Sequence, residues 1–129
     1  FPVAYALCEG ENIDSWKWFV DYLMDDIGSV QDHGWTFISD QHVGLTNAIH
    51  GWVRPENARA CVRHLYENFK KEYKGKTFKD AMWRCARATT EHQFNEAMEA
   101  MKQLDSEAYD WLIKRNPHKW SRHLFSTVN

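Results

Sequence analysis

The chain divides into short apolar runs and longer segments whose apolar side chains recur at helical spacing. Residues 2–8 and 35–39 are short, apolar and partly β-branched, which predicts two strands, and residues 58–62 predict a third. Apolar positions three and four residues apart predict a helix between Asn12 and Gly28. A second helix is predicted to follow Asp40 and to run to about residue 52.

From Arg63 onward the pattern is helical throughout. N-cap residues are predicted at Thr77, Thr90 and Ser106, each ahead of an amphipathic stretch. An α/β half is thus joined near Val62 to an all-helical half. The sequence predicts two regions, residues 1–62 and residues 63–129.

Length and composition limit the classes of protein to consider. With 129 residues, of which 43% are hydrophobic, the chain is long enough to bury a core. It contains no apolar run long enough to cross a bilayer, which predicts no membrane span. Its three cysteines are scattered and odd in number, which favours a reduced, intracellular protein. The chain begins at Phe1, inside a strand-like run, and its apolar tail around Trp120 lacks an evident partner, so we expect an internal fragment of a longer domain.

The net charge of −2 conceals an uneven distribution. Residues 1–53 carry one Lys or Arg and eight Asp or Glu, whereas residues 54–87 carry ten basic and four acidic side chains. A basic segment of this kind indicates binding to a polyanion. A solvated helix face with ordinary lysines explains the same composition.

Asp40 follows the run Gly34–Ser39 and precedes an amphipathic segment. In α/β sheets, ligands and metals gather at the carboxyl ends of strands, so the spacing makes Asp40 a candidate catalytic acid. The alternative is that Asp40 is only the N-cap of the following helix. No glycine-rich phosphate loop and no identifiable Ser/His/Asp arrangement accompanies it.

Cys61 and His64 form a Cys-x-x-His pair, which could be half of a zinc site. A structural zinc ion takes four ligands, and the sequence has no second pair of the usual spacing. The alternative is a buried thiol and a hydrogen-bonded histidine that hold the corner between strand and helix.

Several separate motifs, in order along the chain, resemble the Mutator-like element (MULE, MuDR-type) transposases of plants. They are Pro2-Val3-Ala4-Tyr5-Ala6, Glu11-Asn12-x-x-Ser15-Trp16-x-Trp18-Phe19, Phe37-Ile38-Ser39-Asp40 with Gly44-Leu45, Cys61-x-x-His64-Leu65-x-x-Asn68-Phe69, Ala86-Arg87-Ala88-Thr89-Thr90, Phe94-x-x-Ala97-Met98 and Trp120-Ser121-Arg122 with Phe125. The resemblance covers essentially the whole chain.

This resemblance implies a DDE-type transposase with a partial ribonuclease H-like core of three short strands and two helices, followed by an all-helical insertion. Asp40 matches the second of three metal-binding acids; the first Asp and the third Glu of the family fall upstream and downstream of this chain. The implied cofactor is Mg²⁺ or Mn²⁺, which in the intact enzyme supports DNA strand cleavage and transfer. One acid of three implies that this polypeptide is inactive alone.

The resemblance also implies DNA as partner, both the terminal repeats of the element and the target site, together with a nuclear location and a homo-oligomeric state. The residues expected to lie along DNA phosphates are Arg54, Arg59, Arg63, Lys70, Lys71, Lys74 and Lys76. The alternative function is a domesticated, transposase-derived transcription regulator that binds DNA without catalysis. A degenerate remnant and a helical protein-interaction module also stay open, although the latter does not explain Asp40 at the end of a strand.

Overall fold

The computed structural model of the protein describes residues 1–125. Mixed α/β architecture is observed, with 66% of the residues helical and two short parallel strands. Internal contacts divide the chain into two compact units, Phe1–Arg59 and the residues from Ala60 onward. No helix in the described part is long and apolar enough to cross a membrane.

The first unit contains three helices and a strand, in the order α1 (Ile13–Ile27), α2 (Val30–His33), β1 (Phe37–Ser39) and α3 (Val43–His50). Asn12 caps α1, because its side chain accepts a hydrogen bond from the Ser15 amide at 2.9 Å. Gly28 ends the helix in a positive-φ conformation that favours glycine. The four residues of α2 form a single helical turn between α1 and β1.

The core of the first unit lies mainly between α1 and α3. Its buried apolar side chains come from both helices and from the segments beside them: Val20, Met24, Val30, Ala48, Ile49 and Val53. Gly44, in the first turn of α3, allows the two helices to approach closely. A Cβ atom at this position would lie 3.1 Å from the Ile13 Cα and 3.3 Å from the Asn12 carbonyl carbon.

Strand β1 pairs with β2 (Ala58–Ala60), which follows a short 3₁₀ turn at Pro55–Asn57. The strand predicted at residues 2–8 does not form, so that prediction is wrong. Residues 1–12 contain no regular element and are exposed throughout, Tyr5 and Leu7 to 95% and 96%. A strand needs a hydrogen-bonded neighbour, and the described chain supplies none to this segment. The three-stranded core predicted from the sequence is therefore reduced to two strands.

In the part that the structure describes, the second unit is helical beyond Ala60 and contains five helices and a last 3₁₀ turn. They are α4 (Val62–Glu72), α5 (Lys76–Arg87), α6 (Glu91–Leu104), α7 (Ser106–Lys114), α8 (Pro117–Trp120) and the turn at Arg122–Leu124. Its core is centred on completely buried side chains from four helices, namely Phe69, Met82, Cys85, Met101, Ala108 and Leu112. The helical half predicted from apolar spacing is confirmed.

The helix caps of this unit agree with the prediction at one position of three. Thr90 caps α6 and accepts from the Gln93 amide at 3.2 Å. Asp105, not Ser106, caps α7, and its carboxylate accepts from the amides of Glu107 and Ala108. Helix α5 begins at Lys76 after Gly75, so Thr77 lies inside the helix.

The expected lack of a partner for the tail is wrong for Trp120, which is 1% exposed. Its ring contacts Phe94 of α6, with the ring centroids 6.0 Å apart. The tail thus packs onto the core of the second unit. Residues 126–129 lie outside the described part of the chain.

Candidate active-site carboxylate and nucleic-acid interface

Asp40 lies immediately after the last residue of β1 and is half-buried. Its Oδ1 atom accepts a hydrogen bond from the His42 backbone amide at 3.1 Å. The second carboxylate oxygen has no hydrogen-bond or ion-pair partner within residues 1–125. The predicted order of strand, acid and helix is confirmed, with one carboxylate oxygen fixed and the other available to a ligand.

Asp40 is not the N-cap of α3. The cap position belongs to His42, whose side chain makes no capping hydrogen bond, and the helix begins at Val43. Asp40 instead closes a short turn on the amide two residues ahead, a local role that Asp fills well. The carboxylate is thereby held at the end of the strand, three residues ahead of the helix.

His42 is a neighbour of Asp40 that sequence reasoning did not single out. Its Nδ1 atom is buried without a hydrogen-bond partner. The imidazole contacts the Trp16 ring, with centroids 6.4 Å apart. Its position two residues after the candidate acid is the only signal in the sequence that could have identified it.

The described residues do not assemble a complete metal site. Among residues 1–125 there is no group of three or more His, Cys, Asp or Glu side chains arranged to hold a metal ion. Asp40 offers a hard carboxylate oxygen of the kind that Mg²⁺ and Mn²⁺ prefer, but it offers this oxygen alone. Asp40 is therefore suited to be one ligand of a divalent ion, but it does not supply a whole coordination shell.

Cys61 and His64 lie at the beginning of α4. Cys61 occupies the N-cap position and is half-buried, whereas His64 is exposed in the first turn. No third ligand joins them in the described part of the chain. Zinc at this pair stays a prediction, and the structure gives the thiol a position at the corner between β2 and α4.

Five of the seven predicted DNA-binding residues lie along α4, in the turn after it and at the first residue of α5: Arg63, Lys70, Lys71, Lys74 and Lys76. All five are exposed. Lys70 forms an ion pair with Glu67, and Lys76 lies 2.8 Å from the Asp80 carboxylate. Salt bridges of this exposed kind are weak and exchange readily for other anions. Lys74 has no ion-pair partner within residues 1–125.

The other two predicted residues belong to the first unit. Arg54 is exposed and lies 3.9 Å from Glu56. Arg59 is 7% exposed, within β2, and burial lowers the pKa of its guanidinium. A side chain that is so little exposed presents almost no surface to a phosphate. In this respect Arg59 differs from the exposed cations.

Helices α4 and α5 also present cations and aromatic rings that the sequence analysis did not select. Lys79 and Arg87 of α5 lie over the rings of Tyr66 and Trp83, respectively. Both cations are exposed. The packing of α4 against α5 brings Lys79 to Tyr66 and Tyr66 to Trp83, whereas Arg87 lies one turn after Trp83 on α5 itself. A count of charges over residues 54–87 already included the two cations.

The first unit thus contains a carboxylate at the end of a strand, with a hydrogen bond to one of its two oxygens. This is the position at which α/β proteins place acids that bind ligands and metals. The family model of the MULE transposase domain matches residues 1–68, which include β1, Asp40, α3 and most of α4. The chain belongs to the MULE transposase family. No curated protein and no solved structure matches it.

Proposed function

We propose that this chain is part of a DDE transposase that cuts and joins DNA with the help of divalent metal ions, and that Asp40 is one of the metal-binding acids. The observation that carries the proposal is the position of Asp40 at the carboxyl end of β1, with one carboxylate oxygen held by the His42 amide at 3.1 Å and the other without a partner among residues 1–125. The family match over residues 1–68 supports it.

The fixed oxygen of Asp40 has a purely geometric role. By accepting from the His42 amide, it orients the carboxylate before any ligand arrives, which lowers the entropy lost on binding. Asp40 would hold one of the divalent ions, which would supply activation of the attacking oxygen and stabilisation of the leaving one. One acid binds such ions weakly, so we expect no DNA cleavage by the 129-residue chain alone.

DNA is the proposed partner of the basic residues on α4, in the following turn and at the beginning of α5. Residues 62–76 contain five basic and two acidic side chains, so the segment is positive even with its internal ion pairs. Exposed lysines that neutralise phosphates release counterions, which makes the affinity for DNA depend on salt. In the intact protein we expect these residues to contact the terminal repeats of the element and the target site, in the nucleus. We also expect the intact protein to act as a homo-oligomer.

Manganese titration of the isotopically labelled chain tests the role of Asp40. We expect Mn²⁺ to broaden the backbone amide resonances of residues 39–43 first, because paramagnetic broadening is strongest next to the ion. Asp40→Asn should abolish this local effect. Asp25→Asn is the matched control, because Asp25 is an exposed acid of α1 without a hydrogen-bond or ion-pair partner within residues 1–125. Broadening near residue 40 that survives Asp40→Asn would contradict the proposal.

The alternative function, a DNA-binding regulator without catalysis, gains support from one observation. Residues 1–125 contain no group of three or more His, Cys, Asp or Glu side chains that could hold a metal ion. A regulator requires the DNA contacts and not the acid. It would show salt-dependent DNA binding and no preference of Mn²⁺ for residue 40. The transposase predicts salt-dependent DNA binding together with Mn²⁺ broadening at residue 40.

A further inference from the structure

An aromatic pair bridges α4 and α5 on the surface of the second unit. The rings of Tyr66 and Trp83 have centroids 6.0 Å apart, and both side chains are half-buried against the core. Their helices are anchored by completely buried neighbours, Phe69 on α4 and Met82 on α5. The two rings are therefore held in place while part of each remains accessible.

Three cations surround the pair. The ammonium groups of Lys70 and Lys79 lie 5.7 Å and 5.9 Å from the centre of the Tyr66 ring. The guanidinium of Arg87 lies 4.9 Å from the centre of the Trp83 ring. We call these five residues, Tyr66, Lys70, Lys79, Trp83 and Arg87, the aromatic–cation surface. Within residues 1–125, neither Lys79 nor Arg87 forms an ion pair, so their charges are not neutralised by the chain.

This combination has a specific chemical match. Single-stranded nucleic acids present unstacked base faces and a chain of phosphates, and proteins bind them with aromatic platforms beside cations. A duplex keeps its bases stacked inside, so it offers the phosphates to the cations but nothing to the rings. Lysine side chains are flexible, so Lys70 and Lys79 can leave the Tyr66 ring for a phosphate and uncover the ring for a base.

We propose that the aromatic–cation surface binds an unpaired stretch of DNA, with bases against Tyr66 and Trp83 and phosphates at Lys70, Lys79 and Arg87. The choice of DNA rests on the proposed function, and the preference for an unpaired strand is the new element. The other role of the surface, stabilisation of the helix pair by cation–π contacts, gives no preference for any nucleic acid.

The test measures binding of the full 129-residue chain to a fluorescein-labelled oligothymidine and to a hairpin duplex, by anisotropy over a series of NaCl concentrations. We expect Tyr66→Leu and Trp83→Leu each to lower the affinity for oligothymidine by roughly tenfold and to leave that for the duplex nearly unchanged. Lys79→Ala and Arg87→Ala should each reduce the salt slope for the single strand by about 0.7. Trp83→Phe keeps a ring and should retain most of the affinity.

The chain contains a matched control pair. Tyr109 of α7 is also half-buried, and the Lys102 ammonium lies 5.4 Å from its ring centre. Tyr109→Leu and Lys102→Ala should therefore change stability in a similar way without changing the preference for the single strand. Urea midpoints of all variants show whether each one is folded, and the Trp83→Phe comparison decides the matter if a leucine variant is not.

Two results would overturn the inference. One is an equal loss of affinity for the single strand and the duplex in Tyr66→Leu or Trp83→Leu; the other is an equal effect of Tyr109→Leu. Either result leaves the proposed function intact as long as duplex binding and the response of Asp40 to Mn²⁺ persist. Loss of the Asp40 response to Mn²⁺ with a retained preference for the single strand would contradict the proposed function and support the inference.

Discussion

Gly44 offers the sharpest test of how the first unit is packed around Asp40. A methyl group at residue 44 would lie 3.1 Å and 3.2 Å from the Cα and N atoms of Ile13, and 3.3 Å from the Asn12 carbonyl carbon. Comfortable carbon contacts are about 3.5–4.0 Å. The obstructing atoms are all backbone atoms at the beginning of α1, so no side chain can rotate to make room.

The magnitude follows from two opposing effects. Overpacking of this kind costs about 1–3 kcal/mol. Replacing glycine by alanine in a helix gains up to about 1 kcal/mol, and less in the first turn, where Gly44 lies. We expect Gly44→Ala to lower the free energy of unfolding of the first unit by about 1 kcal/mol. This is a large share for a unit of only 59 residues.

Gly51→Ala is the matched control. Gly51 ends α3 in an ordinary right-handed helical conformation, and a Cβ there would meet nothing closer than the Ala48 carbonyl oxygen at 3.4 Å. Because alanine restricts the unfolded chain without a clash, we expect this variant to be neutral or stabilised by about 0.5 kcal/mol.

Native-state amide hydrogen exchange separates the two units in one measurement. Gly44→Ala should speed exchange in α1 and α3 by roughly fivefold and leave α5 and α6 unchanged, since about 1.4 kcal/mol corresponds to tenfold. The close approach of α3 to α1 would be refuted if Gly44→Ala and Gly51→Ala gave the same exchange rates, or if both units lost protection equally.

Three further predictions concern residues of the second unit. Asp105→Ala should cost about 1 kcal/mol in urea unfolding, because two amides at the start of α7 lose their acceptor, whereas Ser106→Ala should cost a few tenths; equal costs would restore Ser106 as the cap. Burial raises the pKa of the Cys85 thiol to about 12, so at pH 8 iodoacetamide should alkylate the exposed Cys8 and spare Cys85 until the unit unfolds. The stability that Cys85 contributes is complete below its unfolded pKa, near 9, and falls as pH rises toward 12, so Cys85→Ala should flatten the loss of stability in that window.

The sequence predicts best those elements whose signals are local. Helix α1 begins and ends as expected, because Asn12 caps it, Gly28 terminates it and its apolar stripe lies between them. The segment at residues 2–8 carries an equally clear strand pattern and forms no strand. Periodicity describes which faces a strand would have, but only a neighbouring strand can satisfy its amide and carbonyl groups.

The cap of α7 shows that the sequence does not decide between two adjacent capping residues. Asp105 and Ser106 are adjacent and are both good capping residues. Asp105 takes the position because its backbone is extended, with φ −163° and ψ 117°, while Ser106 already has helical geometry. That choice depends on where the chain leaves α6, and composition at the two positions does not encode it.

The candidate sites also differ in how far local sequence predicts them. Asp40 could be identified because its place depends on the strand before it and the helix after it, all within fifteen residues. The charge count over residues 54–87 found a basic region but treated every cation alike. The structure separates them: Arg59 is buried and Lys70 and Lys76 form ion pairs, whereas Lys79 and Arg87 form none within residues 1–125.

The aromatic–cation surface could not have been derived from spacing, because Tyr66 and Trp83 lie 17 residues apart on different helices. Their contact exists because Leu65 and Phe69 turn one face of α4 inward while Met82 and Ala86 do the same for α5. Core packing thus sets the register of the two helices, and the register decides which exposed residues become neighbours. A substitution that shifts α4 along α5 should therefore separate Tyr66 from Trp83 and weaken binding to the single strand, even when all five residues of the surface are unchanged.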